Sequence, residues 1–175
     1  WSYEHLAWTG APRFRSALAL ARENAWSPRE VHLRLVGELL ADMPRLLCNQ
    51  PIFDRATGRL LGTPDLLDVE AGLAIEYDGQ DHLKVVQRSR DVRREELFRA
   101  HELEVMTVLG PDLRDRADLA DRMVAARARS RFQAESARTW TIDPPVWWTP
   151  THTVALRRSL TEAQRQRSLR YRRAA

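Results

Sequence analysis

The sequence of 175 residues predicts an α/β protein in which a mixed β-sheet is flanked by helices. Three observations predict this class. Helix-start signals and helical spacing of apolar residues occupy residues 12–41. Short apolar runs bounded by turn residues follow between residues 46 and 78. A charged helical stretch then separates these runs from one more apolar strand, and such an order is typical of a sheet with helices packed against it.

The N-terminal part of the chain is predicted to be helical. Residues 12–25 contain good helix formers with apolar side chains among them. A second helix is predicted to begin at Ser27 and to run to about residue 41, because Ser27, Pro28 and Glu30 form a capping box with proline at the first helical position. We expect residues 1–26 to be a helical segment that is a remnant of an upstream domain or a linker to it.

The central part of the chain carries the predicted sheet. The predicted elements are, in order, a strand at residues 46–53, strands at 60–68 and 73–78 joined by a turn at 69–72, a helix at 88–101, a strand at 104–109 and a helix at 115–134. Together with the helix that begins at Ser27, they make residues 27–134 one predicted core, of a size common among single domains.

The C-terminal part differs from the core in charge. Residues 121–175 contain twelve Arg against four acidic residues, a net charge of +8, whereas residues 1–120 contain 16 basic against 20 acidic residues, a net charge of −4. Residues 135–175 are predicted to be a Trp- and Pro-rich loop followed by a basic C-terminal extension with a helix at 159–173. The extension could neutralise DNA phosphates, or it could be a solvated helix. Trp147 and Trp148 are expected to pack on the core rather than to stack on an unpaired base.

Composition limits the class of protein. Hydrophobic residues are 43% and charged residues 30% of the chain, which is typical of a globular domain. No apolar run approaches the roughly 20 residues that span a bilayer. The single cysteine, Cys48, cannot form an internal disulfide, which suits a reducing compartment. We therefore expect a cytoplasmic protein with no membrane partner.

Three acidic residues of the predicted hairpin are expected to share one face of the sheet. A two-residue turn at residues 71–72 would place Asp65 opposite Asp78 and Leu67 opposite Glu76. Glu76 and Asp78 point the same way, because residues two apart on a strand share a face. Like charges at this spacing are destabilising unless a cation or protons neutralise them.

Mg²⁺ or Mn²⁺ would supply this neutralisation, because both ions bind through one or two carboxylates and also engage phosphate. The competing interpretation is that Asp65 and Asp78 only end strands at polar turns. Glu76 and Asp78 argue against it, because they lie inside an otherwise apolar strand. Glu30 has a structural explanation in the capping box, and it joins the cluster only if the start of its helix packs beside the hairpin.

An ordered series of short motifs resembles a bacterial family. The motifs are Ser27-Pro28-x-Glu30, Asn49-x-Pro51, Gly62-Thr63-Pro64-Asp65-Leu66, Ala74-Ile75-Glu76-Tyr77-Asp78-Gly79 with His82, and Arg90-Asp91-x-x-Arg94 ahead of a strand at Val105. The series resembles the endonuclease-like domain related to the very short patch repair (mismatch) endonuclease, in the PD-(D/E)XK superfamily. That domain is often found with a winged-helix module of the abortive-infection antitoxin type. The motifs extend over about half of the chain.

The resemblance implies a restriction-endonuclease-like fold and a Mg²⁺ (or Mn²⁺) site held by Asp65, Glu76 and the backbone carbonyl of Tyr77. It also implies that Glu30 contributes from the first helix of the core. The sequence departs from the family in two places. Asp78 stands where the superfamily motif has lysine, so His82 is the nearest candidate to orient or deprotonate water. The Gly-Trp pair usual before the last strand is absent.

The functional expectation is a Mg²⁺-dependent endodeoxyribonuclease that cuts or nicks DNA in repair or defence, with an upstream winged-helix domain as a further partner. Glu30, Asp78 or His82 would accept the proton from water. The arginines expected to contact DNA are Arg90 and Arg94 of the helix after the hairpin, whose alternative is a solvated charged face, and Arg157, Arg158, Arg165 and Arg167 of the extension. A non-catalytic DNA-binding or antitoxin-like module, and a protein-interaction domain with an acidic partner, are the alternative classes.

Overall fold

The structure, a computed structural model, describes the backbone of residues 11–79 and 85–173 and the side chains of residues 12–79 and 92–168. Within these ranges the protein is a mixed α/β structure with six helices and two β-sheets. The helices are α1 (Ala11–Leu20), α2 (Pro28–Leu39), α3 (Val85–Ala100), α4 (Arg116–Arg129), α5 (Val154–Arg158) and α6 (Glu162–Arg173). The strands are β1 (Leu47–Cys48), β2 (Ile52–Asp54), β3 (Leu60–Gly62), β4 (Leu66–Asp68), β5 (Leu73–Asp78), β6 (Glu104–Leu109) and β7 (Trp140–Thr141).

The first sheet is mixed and has the strand order β1-β4-β5-β6. β4 is antiparallel to β1 and to β5, whereas β5 and β6 are parallel and are connected through α3. This parallel pair agrees with the helix that the sequence places between two strands, because parallel neighbours need a crossover connection.

The second sheet has the order β3-β2-β7 and is antiparallel. The prediction of one strand over residues 46–53 is therefore wrong: β1 belongs to the first sheet and β2 to the second. Asn49 lies at the break with φ of 46°, a left-handed conformation that Asn tolerates better than most residues. The prediction of one strand over residues 60–68 is also wrong, because β3 and β4 belong to different sheets and residues 63–65 separate them.

Both faces of the first sheet are covered. On one face, Leu66, Leu73 and Ile75 pack in a cluster with side chains of α2 and α4. On the other face, Leu67 and Ala74 pack in a second cluster with side chains of α3 and the second sheet. Leu66 and Leu67 of β4 and the first half of β5 are therefore buried and apolar on both sides, as is typical of strands that lie between two layers.

The start of α2 agrees with the predicted capping box. The Ser27 side chain accepts a hydrogen bond from the Glu30 backbone N–H at 3.2 Å. The Glu30 carboxylate accepts from the backbone N–H of Trp26 at 2.7 Å, one residue earlier than the usual partner. Glu30 is 7% exposed, so this carboxylate lies inside the protein.

The register of the β4–β5 hairpin differs by two residues from the prediction. The structure pairs Leu67 with Ala74, not with Glu76, and a four-residue turn at residues 69–72 joins the strands. Asp68 causes the difference, because its backbone carbonyl and its carboxylate accept the N–H groups of Gly72 and Ala71. A shift of two keeps every side chain on its predicted face.

The C-terminal residues return to the fold. β7 pairs with β2, and Trp140 is 2% exposed in the second cluster. Phe53 makes edge-to-face contacts with Trp148 and Trp147, at centroid distances of 5.3 and 6.1 Å. The expected packing is therefore confirmed for Trp148, whereas Trp147 touches Phe53 but remains 61% exposed. Among the described residues, no helix is long and apolar enough to cross a bilayer.

Candidate carboxylate site

Asp65 and Glu76 lie together at the end of the hairpin that is remote from its turn. Leu66 pairs with Ile75, so extension of the register by one residue places Asp65 opposite Glu76. The backbone N–H of Tyr77 donates to Asp65 Oδ2 at 2.7 Å, which fixes this carboxylate beside β5. The predicted pairing of Asp65 with Asp78 is wrong. In the observed register Asp65 lies directly across from Glu76, whereas the predicted register placed the two residues diagonally.

The environment of Asp65 disfavours its negative charge. Burial raises the pKa of Asp65, and the negative charge of Glu30 raises it further. The hydrogen bond from Tyr77 and the positive charge of Arg94 act in the opposite direction and do not compensate. The site would therefore gain from additional positive charge.

Arg94 of α3 is the ionic partner of Glu76. Its Nη2 donates to Oε2 of Glu76 at 3.1 Å, and its Nε lies 3.1 Å from Oε1. A fork of this kind holds a carboxylate in one orientation. Arg94 was predicted to contact DNA or to belong to a solvated face, and the structure instead turns it toward the carboxylate site.

Gly62 allows α3 to approach the site. A Cβ at this position would lie 2.7 Å from Phe98 Cζ and 2.8 Å from Arg94 Cδ. Phe98 is fully buried, so it could not easily move away. The glycine of the Gly62-Thr63-Pro64-Asp65 motif therefore lets the Arg94 side chain pass across β3 to Glu76.

Glu30 reaches the same site through Asn49. The Asn49 side chain donates to Glu30 Oε2 at 2.6 Å, and its backbone N–H donates to the carbonyl of Asp65 at 3.0 Å. The start of α2 therefore packs beside the hairpin, which is the condition under which the sequence assigned Glu30 to the cluster. Asn49 is 2% exposed and connects the two acidic residues.

Asn24 completes this polar network. Its amide donates to the carbonyls of Cys48 and Asn49 at 2.8 and 2.9 Å, and Asn49 donates back to the Asn24 carbonyl at 2.8 Å. The sequence identified Asn49 only as part of a motif and did not identify Asn24. Both residues have positive φ, 70° for Asn24 and 46° for Asn49. Asparagine at two chain reversals was the only available signal, and it does not reveal a mutual contact.

The other predicted site residues have different outcomes. Asp78 follows Tyr77 in β5 and is partly exposed, with its side chain on the same face as that of Glu76. His82 lies outside the described residues. Arg90 and Asp91 belong to α3, but their side chains lie outside the described part of the structure.

The predicted basic residues of the extension lie on α5 and α6. Arg157 and Arg158 end α5, and Arg157 donates to the carbonyl of Thr151 at 2.6 Å. Arg165 and Arg167 are exposed on α6. Exposure leaves their charge accessible, but the structure does not bring them into contact with the carboxylate site.

Asp65 and Glu76 are the residues that could hold a divalent ion. Over residues 12–79 and 92–168, no group of three or more His, Cys, Asp and Glu side chains is arranged to hold a metal ion. Two opposed carboxylates are nevertheless a suitable oxygen donor set for Mg²⁺, which keeps several of its waters. The raised pKa of Asp65 fits this use, because a cation would favour the charged carboxylate that burial and then the charge of Glu30 disfavour.

The fold and the site define a mixed α/β protein with a cluster of acidic residues where its first helix, its central hairpin and its crossover helix meet. Comparison with protein-family models, with curated proteins and with solved structures finds no significant match.

Proposed function

We propose that this protein is a Mg²⁺- or Mn²⁺-dependent DNA endonuclease with a restriction-endonuclease-like fold. One observation carries the proposal: Asp65, just before β4, accepts from the Tyr77 N–H beside Glu76 of β5, and Asn49 brings Glu30 to the same place. Three acidic residues in a partly buried position cost stability unless they serve a purpose that needs negative charge. Binding of a divalent cation beside a phosphodiester is such a purpose.

The chain's own residues would have separate roles in hydrolysis. Asp65 and Glu76 hold the ion, with the Tyr77 carbonyl as a further ligand. When bound, the ion offsets the charge that develops on the phosphate and makes water more acidic. Asn49 and the backbone N–H of Tyr77 keep the carboxylates in place. Glu30, Asp78 or His82 accepts the proton from the attacking water.

A plasmid-nicking assay tests this function. Supercoiled DNA should be converted to the nicked or linear form in Mg²⁺ or Mn²⁺, and EDTA should stop the reaction. Asp65→Asn and Glu76→Gln should each reduce the rate by more than about 100-fold, because each removes a charged ligand rather than an outer partner. Asp121→Asn is the matched control, since Asp121 is exposed on α4 and should retain full activity. No uptake of either ion in calorimetry, together with no nicking, would refute the endonuclease proposal.

A second candidate function is supported by the Arg94 fork. Glu76 already has an internal cation, so a charge-neutral pair could stabilise the fold without any metal ion. On this alternative the protein is a non-catalytic DNA-binding module. DNA binding that falls steeply with salt, without cleavage and without metal uptake, would identify it.

A further inference from the structure

A groove of about 630 Å³ lies between the α1–α2 connection, β1 and the residues at the start of α5. Its volume falls within the range of about 300 to 1,000 Å³ that is usual for sites of small ligands. The C-terminal extension forms one wall, because the backbone N–H of Val154 donates to Glu23 Oε2 at 2.7 Å. The groove therefore depends on the return of the chain's C-terminal residues to the core.

The lining of the groove is suited to a phosphate-bearing ligand. Arg22, Arg45 and His152 contribute side chains that can carry positive charge, and Gln50 contributes an amide. Glu23 is the acidic residue in the lining, and its carboxylate is engaged by Val154. Among the described residues, no hydrogen bond or ion pair engages the side chain of Arg45 or of His152. Both side chains are therefore available to a ligand.

The groove adjoins the carboxylate site through a single residue. Cys48 and Gln50 line the groove, whereas Asn49 between them turns its side chain to Glu30. Asn24 also lines the groove, and its carbonyl accepts from the Asn49 side chain, which donates to Glu30 as well. The Asn49 backbone N–H donates to the Asp65 carbonyl, so one hydrogen-bond network borders both the groove and the carboxylate site.

We propose that this groove receives the nucleotide next to the scissile phosphate, with Arg45 and His152 contacting its phosphate. This inference rests on the proposed function, since it identifies how the substrate of that site is held. The proposed occupant is a DNA strand. A free mononucleotide has the same phosphate chemistry, and competition between the two distinguishes them.

The test measures binding of a fluorescently labelled DNA duplex to the Asp65→Asn protein by anisotropy, in EDTA. Arg45→Glu and His152→Ala are introduced separately into this background. We expect Arg45→Glu to raise the Kd by about tenfold, because it replaces attraction to one phosphate by repulsion. Arg59→Glu is the matched control. Arg59 is also exposed, but it lies before β3, at the end of that strand remote from Asp65, so its substitution should change the Kd by less than about twofold.

The outcomes are distinct. An equal effect of Arg45→Glu and Arg59→Glu, or no effect of Arg45→Glu in a protein with an unchanged melting curve, would overturn the groove proposal. Displacement of the duplex by millimolar deoxyadenosine monophosphate only when Arg45 is intact supports a nucleotide site. Binding of the mononucleotide without any Arg45 effect on the duplex shows a free nucleotide as the occupant and overturns the strand assignment. Metal uptake and nicking by the unmodified protein are measured separately, so failure of the endonuclease proposal is recognised independently.

Discussion

Arg94 gives the carboxylate site a positive charge of its own. The guanidinium contacts both oxygens of Glu76, and its charge also reaches Asp65. A divalent ion at this site would have to share Glu76 with Arg94 or displace it. If the site binds a metal ion as proposed, the charge of Arg94 would set how strongly it does so.

Replacement of Arg94 by methionine should increase the affinity for Mg²⁺ by about tenfold, because it removes one positive charge a few ångströms from the ion. Calorimetric titration measures the change. Arg93→Met, an exposed neighbour on the same helix, should leave the affinity nearly unchanged. Weaker Mg²⁺ binding by Arg94→Met would show instead that Arg94 is needed to orient Glu76.

Asp54 connects the second sheet to the end of α3. The hydrogen bond from His101 Nε2, at 3.0 Å, holds the pKa of Asp54 far below its usual value near 3.8, and the backbone N–H groups of Thr57 and Ala56 lower it further. The pKa of Asp54 is lower in the folded than in the unfolded protein, so the carboxylate stabilises the fold fully at pH values above the unfolded pKa. This stabilisation is lost as the pH falls from the unfolded pKa toward the folded pKa.

Asp54→Asn should therefore lower the free energy of unfolding by about 1 to 2 kcal/mol at pH 7, and the difference from the unmodified protein should shrink as the pH falls from about 5 to 3. Urea unfolding at several pH values measures this difference. Asp121→Asn should show little effect at any of these values. If Asp54→Asn lowered the free energy of unfolding equally at pH 7 and pH 3, the charged Asp54 carboxylate would not be the source of the stabilisation.

At the residue scale, the sequence predicts the acidic residues of the site but not their partners. Asp65, Glu76 and Asp78 are predictable because alternation along strands determines which side chains share a face. Arg94 and Asn24 are not predictable in this way. Arg94 is 18 positions from Glu76, and Asn24 is 25 positions from Asn49, so both contacts depend on the tertiary fold.

Among the elements, the β4–β5 turn explains why the observed register of this hairpin differs from the predicted one. The prediction rested on a two-residue turn, but Asp68 caps a four-residue turn instead. Asp68 is 1% exposed and pairs with Arg127 of α4 at 2.7 Å. The turn is therefore determined partly by a helix 59 positions away, which no local pattern in the hairpin reveals.

Asp68→Ala should destabilise the protein by about 3 kcal/mol, because it removes the buried partner of the ion pair with Arg127 and the carboxylate that accepts the Ala71 N–H in the turn. Glu70→Ala is the matched control. Glu70 contacts the same arginine but its side chain is 67% exposed, so its loss should cost less than about 1 kcal/mol. Urea unfolding measures both values. Equal effects of the two substitutions would show that the burial of Asp68 does not determine its contribution to stability.

At the scale of the whole molecule, the α/β class and the crossover helix between β5 and β6 were predictable, but the second sheet was not. Its strands have two or three residues each, too short for a periodic pattern to identify. The pairing of Phe53 with Thr141 also joins distant parts of the chain. The sequence therefore predicted a loop at Trp140, although its side chain is among the most buried of the described residues.

Removal of α6, by ending the chain after Leu160, should leave the fold intact and reduce the salt dependence of DNA binding. None of the described side chains of this helix is buried, and five arginines are lost. The slope of log affinity against log salt should decrease by about 0.9 for each phosphate contact removed. Anisotropy titrations at several salt concentrations measure the slope. An unchanged slope would show that α6 does not contact DNA.

The pairing of β7 with β2 also bears on how the chain can be shortened. A fragment that stops before Trp140 would leave one edge of β2 unpaired, although β3 would still pair with the other edge, and would uncover the apolar surface around Phe53. Unprotected edge strands associate with one another, so such a fragment should aggregate at concentrations where the 175-residue chain does not. A shortened form of the protein should therefore retain the residues up to and beyond Thr141.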